Sequence, residues 1–345
     1  MTSPAPGSDT LSKLLAEKGV LLTDGATGTT LFNMGLSSGD APELWNTDHP
    51  DRIEALYQGA VDAGSDLFLT NSFGGNAARL KLHDAQDQVT TLNRAAAEIG
   101  RNVADKAERK VVVAGSMGPT GEIMAPMGPL THELAVEMFH EQAEGLKAGG
   151  ADVLWVETIS APEEYAAAAE AAERADMPWA GTMSFDTAGR TMMGVTSADM
   201  VRNVEKLSHP PVAFGANCGV GASDLLRTVL GFTASGPERP VIAKGNAGIP
   251  KYVDGHIHYD GTPELMAEYA VLAKASGASI IGGCCGTTFE HLRHMRAALD
   301  ETPARDRPSL DEIATKIGGF SSADDGTGEG GPTRTRARAG RRRRA

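Results

Sequence analysis

Cysteine is scarce in this chain: three among 345 residues, at Cys218, Cys284 and Cys285. An odd number this small argues against a disulfide framework. The adjacent pair is also badly placed to bond to itself, because a disulfide needs a set separation and direction of its two Cβ atoms. Long apolar runs are missing too; no stretch approaches the roughly 20 residues that a membrane-spanning helix requires. The opening residues, Met1 to Thr10, lack the basic segment and apolar core of a secretion signal. A reduced, cytoplasmic setting away from membranes is the expectation. The chain also has no Walker loop, no G-x-S-x-G elbow and no H-E-x-x-H.

Positive charge is in deficit over most of the length. The formal net charge is -13, yet residues 332–345 hold seven arginines and no acid, so the remainder carries -20. An acidic body argues against nucleic acid as the main partner. With 41% hydrophobic and 22% charged residues, the composition is that of a globular protein.

What the chain does have is a rhythm of short apolar runs, glycine-rich or polar loops and amphipathic helical stretches. Eight runs stand out: Val20–Leu22, Asp66–Thr70, Val111–Ala114, Asp152–Val156, Trp179–Met183, Val212–Gly215, Val241–Lys244 and Ser279–Gly282. Between the first two, Ile53, Leu56, Tyr57, Ala60 and Val61 recur with helical spacing over residues 50–64, with Asp48 or the turn after it as the cap. Alternation of this kind implies a parallel sheet with right-handed crossovers. Eight units over roughly 280 residues predict an α/β fold, the (β/α)8 TIM barrel. An open doubly wound sheet is the alternative, but Gly25-Ala26-Thr27-Gly28 lacks the dinucleotide-binding spacing. The expected organisation is a leader with a short helix over 1–17, the barrel over 18–300, and a flexible tail over 301–345 ending in the arginine run.

In such a barrel, chemistry gathers at the C-terminal strand tips. Cys218 follows the sixth run and Cys284-Cys285 the eighth, so three thiolates from two strand ends could face one soft metal ion, zinc. The alternative is that they are small buried hydrophobes. Three thiolates leave a fourth position on zinc for a substrate thiol, which would bind as an electron-rich thiolate suited to accepting an alkyl group. Asp24 and Glu157 stand at tips on the same face and could hold the ammonium of an amino acid; alternatively, Asp24 caps its own turn with Gly25. His256 and His258 read as part of an exposed loop, and His291 and His294 as a solvated helical face.

Taken together, Asp24-Gly25-Ala26-Thr27-Gly28-Thr29, Thr70-Asn71-Ser72-Phe73-Gly74, Gly118-Pro119-Thr120-Gly121, Asn217-Cys218, Gly245-Asn246-Ala247-Gly248 and Gly282 to Thr288 resemble the zinc-dependent homocysteine S-methyltransferase family. The resemblance runs over roughly residues 18–300. It implies zinc on Cys218, Cys284 and Cys285, homocysteine sulfur as fourth ligand, and methionine as product. It also implies substrate contacts from Asp24, Gly25, Ala26, Thr27, Glu157 and Asn246, the last matching a removable fourth zinc ligand in the methionine synthase branch. The betaine-using branch of animals has aromatics where this chain has Gly74 and Thr158, and a tryptophan that aligns near Asp40. A quaternary ammonium is usually caged by aromatics, so the expected donor is a methylcorrinoid (methylcobalamin) on a separate protein. Betaine, held by Trp45 or Phe73, is the alternative donor. A zinc-holding thiol sensor without turnover is the non-enzymatic alternative, and homo-oligomerisation is left open.

Overall fold

The computed structural model describes residues 9–323 apart from 249–250 and 254–255, with the side chains of 249–258 also outside it. The first eight residues and the arginine run therefore lie outside the described residues. Eight parallel strands form the expected (β/α)8 barrel: Leu21–Leu22, Leu67–Leu69, Val112–Met117, Val153–Ile159, Trp179–Met183, Ala213–Cys218, Val241–Gly245 and Ala278–Gly283. Each coincides with one predicted apolar run. The second to seventh strands pair in chain order, and the eighth lies between the seventh and the first.

Between the first and second strands the ladder gives way to a seam closed largely by aspartates. The Asp66 amide donates to the Leu22 carbonyl (2.7 Å), and the Leu22 amide donates back to the Asp66 carboxylate (2.8 Å). One turn higher, the Leu69 amide donates to Asp24 Oδ2 (2.8 Å). Side chains thus satisfy amides that a regular parallel ladder would have paired.

Strand alternation sends Leu21, Leu67, Leu69, Val112, Ala114, Val153, Trp155, Ala180, Ala213, Ile242 and Ile280 into one interior cluster. The opposite parity packs under the helices in a second, larger core that includes Phe139, Tyr165, Phe214, Phe232 and Tyr269. The N-terminal helix Thr10–Lys18, capped by Asp9, buries Leu11 and Leu14 in the interior cluster and so plugs the mouth opposite the strand tips. The predicted helix after residue 50 runs Pro50–Asp62 and buries all five expected residues. Its N-cap is His49, with no side-chain bond, so Asp48 does not cap it.

The expected flexible tail needs correcting over its first part. Ser309 caps a helix, Leu310–Ile317, whose Ile313 and Ile317 join the larger core. The following residues strap onto the helix Ala222–Ala234: Ser223 Oγ donates to the Gly318 carbonyl (2.6 Å) and Arg227 to the Ser322 carbonyl (2.7 Å). The Arg227 guanidinium also lies 4.6 Å from the centre of the Phe320 ring. Two isoleucines of an amphipathic turn and one aromatic are enough to anchor this segment. The His256–His258 segment, read as a loop, pairs its backbone with Lys251–Val253 as an antiparallel hairpin; its histidine side chains lie outside the described residues.

Leu14→Ala should cost ~2–5 kcal/mol of stability, as for a truncated core leucine. Urea unfolding would measure it.

Candidate active site

The interior parity that is apolar low in the barrel turns polar at its top. Ser116, Glu157, Thr182, Asn217 and Lys244 continue the inward-facing alternation of strands three to seven, and all are buried. Asn217 ties this layer together. Its Oδ1 accepts from Thr182 Oγ1 (2.7 Å) and the Thr158 amide (2.9 Å), while its Nδ2 donates to Thr158 Oγ1 (2.8 Å) and faces Cys284 Sγ (3.9 Å). Ser116 Oγ donates to Glu157 Oε1 (2.6 Å). Burial, the largest cause, raises the Glu157 carboxyl from 4.5 to about 7 against the pull of Lys244.

Above this floor the structure brings the three cysteines together, with their sulfurs all within 4.8 Å of one another. Cys218 and Cys285 are 3.8 Å apart. Four thiolates at about 2.3 Å around a tetrahedral zinc stand about 3.8 Å from each other, so the cluster has the spacing of a metal-ligand set. Among the described residues it is the one group of three or more such side chains close enough to share an ion. Hydrogen bonds from Cys218 and then Cys284 lower the Cys285 thiol to about 3, whereas the bonds Cys218 makes to the other two raise it. Thiols ligate zinc as thiolates, so a metal ion bound here would replace their protons.

Backbone geometry aims these groups. Cys218 follows inward-facing Asn217 and would by simple alternation point out of the barrel. It instead takes a left-handed conformation (φ 60°), followed by Gly219 (φ 69°), which turns its thiol towards the eighth strand. Thr158, after Glu157, is left-handed as well (φ 63°).

Asp24 faces the floor, as expected, but it does not cap its own turn. Its Oδ2 takes the Leu69 amide and its Oδ1 the ammonium of Lys244 at 2.6 Å. Gly25 is required where it is, because a Cβ there would stand 2.5 Å from the Thr287 carbonyl. Ala26 donates to that same carbonyl (3.0 Å), which joins the Asp24 turn to the cysteine loop. The helix that starts at Thr27 has no side-chain cap, leaving its first amides available to a ligand.

Asn246, expected as a substrate contact or zinc ligand, stands between the two cysteine loops. Its Nδ2 donates to the Gly219 carbonyl (3.0 Å) and its Oδ1 accepts the Cys285 amide (3.1 Å). Both ends of the amide are therefore engaged in clipping the two cysteine loops together. His291 is not on a solvated face. It is buried and closes a capping box with Thr288, while its Nε2 lies 2.8 Å from the Gly261 carbonyl. His294 is exposed, as predicted.

Sequence reading missed Lys244, Tyr259 and the Asn217 network. Tyr259 stands beside the cysteine loop: a Cβ on Gly286 would stand 2.3 Å from its ring, and its phenol helps to lower the Cys285 thiol. A lysine at the end of an apolar strand was the available signal for Lys244, since a charge at an inward position demands a partner.

A parallel barrel with a polar floor and a thiol cluster at its strand tips is the framework of an enzyme that works on sulfur. A family profile for homocysteine S-methyltransferase matches residues 21–299, and the chain belongs to that family, a family of methyltransferases. Relatives include methionine synthases of Mycobacterium tuberculosis, 30% identical over 319 residues, and of Mycobacterium leprae, 31% identical over 306. These alignments take in 86% and 84% of this chain but 26% and 25% of the relatives, so the chain spans about a quarter of the length of the curated relatives it matches. Among solved structures, the metallated homocysteine methyltransferase MmuM from Escherichia coli superposes with a TM-score of 0.67 at 24% identity, over 83% of this chain and 99% of that one, a likeness of fold. Among the described residues no helix is long and apolar enough to cross a membrane.

A folded-state pKa of about 7 for Glu157 means that its protonated form favours folding. That contribution is complete below the ordinary 4.5 and is lost as pH rises through 7. Glu157→Gln in the metal-free protein should therefore raise Tm at pH 8 and change it little at pH 4.5. Thermal melts at the two pH values check this, and an equal shift at both would contradict it.

Proposed function

We propose that this protein transfers a methyl group to the thiol of homocysteine, forming methionine, at a zinc ion held by Cys218, Cys284 and Cys285. The observation that carries the reading is the convergence of those three sulfurs within 4.8 Å directly over a layer of buried carboxylates. When bound, zinc supplies a fourth, Lewis-acidic position at which a substrate sulfur sits as thiolate near neutral pH.

The chain's own residues then bind and orient the amino acid. Glu157 and Asp24 accept hydrogen bonds from its ammonium, a pairing of opposite charges strengthened by burial. The uncapped amides that open the helix at Thr27, next to Gly25 and Ala26, meet its carboxylate. Asn246 holds the sixth- and eighth-strand loops at one spacing and acts as a positioning residue. In the transfer, the thiol proton leaves first, a sulfur–carbon bond forms, and the donor–carbon bond breaks with its electron pair staying on the donor.

The donor we favour is a methylcorrinoid carried on a separate protein, as in a divided methionine synthase. Similarity to methionine synthases supports it. So does the way the two positions that carry aromatics in the betaine branch are used here. Gly74 donates its amide to buried Glu43 (2.6 Å), and a Cβ at 74 would stand 3.0 Å from that carboxylate. Thr158 is spent on Asn217. Direct use of betaine is the second reading, favoured by Tyr259, an aromatic already beside the thiols.

Purified protein would be mixed with homocysteine and, separately, betaine, S-methylmethionine, free methylcobalamin or a methylated corrinoid protein. Methionine is expected from the corrinoid protein; methionine from betaine alone would overturn the donor choice, and none from any donor would favour a thiol sensor or scaffold. Alanine at Cys218, Cys284 or Cys285 should remove most of the zinc, read by elemental analysis, and lower turnover at least ~100-fold, in the range of lost metal-site contacts.

A further inference from the structure

Lys244 is the charged residue of the floor that the chemistry above leaves without a task. Its side chain is 2% exposed, and it follows Ile242 in the inward parity of the seventh strand. Its Nζ sits 2.6 Å from Asp24 Oδ1 and 5.8 Å from the centre of the Trp155 ring. Asp24 is its one hydrogen-bond partner among the described residues, so two N–H donors remain, with Glu157 and Cys284 close enough to act on its charge.

We propose that Lys244 is a positioning residue for the amino-acid end of the substrate: its ion pair holds Asp24 in place and offsets part of the charge of the two buried carboxylates, so that the site selects thiols bearing an α-ammonium. This rests on reading the site as one for homocysteine. Two carboxylates shut away from water without a cation do not both ionise; one keeps its proton and loses most of its hold on an ammonium. With Lys244 in place, an incoming ammonium completes an alternating set of two cations and two carboxylates. The other titratable groups facing this set are the Tyr57 phenol, towards Asp24, and the thiols of Cys284 and Cys285. None supplies a positive charge.

The test uses the full-length zinc-loaded chain and calorimetric titration with two probes, homocysteine and 4-mercaptobutanoate, which is the same molecule without its amino group. The wild type should prefer homocysteine by about tenfold or more, the worth of one charge-assisted hydrogen bond. Lys244→Met should remove most of that preference while leaving zinc content and the Kd for 4-mercaptobutanoate within about twofold, since the lost contact acts on the ammonium alone. Lys244→Arg, which restores a cation, should recover part of the preference. If the single neutral variant does not fold, the double variant Asp24→Asn/Lys244→Met removes the pair without stranding a buried charge, and it should show the same loss. A preference that survives in the neutral variants, or equal weakening of both probes, overturns the proposal alone. A wild type that binds neither thiol overturns the functional reading and this proposal with it.

Discussion

The site depends on the register of one strand. Val241–Gly245 lies between the sixth and eighth strands, and its last residue, Gly245, is level with Cys218 on one side and Gly283 on the other. The Cys284 amide then donates to the Gly245 carbonyl at 2.7 Å. Neighbouring strands are about 4.8 Å apart, so thiols leaning in from either side of a single intervening strand can close to metal-sharing distance. A one-residue slip would send the thiols to different heights and faces. Gly245 itself has little room for change, because a Cβ there would stand 2.9 Å from the Tyr269 ring. Asn246, the next residue, holds the spacing with a hydrogen bond to each loop.

Below the sulfurs, the barrel departs from its apolar filling. Leucine, valine and isoleucine occupy the lower interior, whereas Asp24, Ser116, Glu157, Thr182, Asn217 and Lys244 occupy the upper. Ionisable groups in so dry a place are tolerated only when partnered. Asp24 is the busiest of them, since it completes the seam between the first and second strands through Leu69 and also meets Lys244. Strand closure and the charge pairing of the floor therefore meet in one carboxylate. Membership of a homocysteine methyltransferase family fits the functional proposal, in which that polar floor holds an amino acid by its charged end.

Much of this was legible along the chain, and the misses share a cause. Periodicity located every barrel strand because burial on both faces leaves an unbroken apolar run. The helix after residue 50 was readable because its five buried residues repeat with helical spacing. His291 and Lys244 were misjudged or overlooked because a polar side chain shows its type in the sequence and its partner only in space. The helix Leu310–Ile317 escaped because a short amphipathic turn beside a glycine-rich stretch carries too weak a local signal without the surface that buries it.

By itself, then, the amino-acid order determined the alternation of strand and helix, the count of eight, and the chemistry carried at each strand tip, since these follow from local patterning and residue type. Tertiary structure alone decided that Cys218 turns inward through a left-handed backbone, that Asn246 is a clip, and that Lys244 sits against Asp24, 220 residues away along the chain. The reason is physical: orientation and pairing are settled by register, backbone handedness and burial, which arise between distant segments and leave no periodic trace in any one of them.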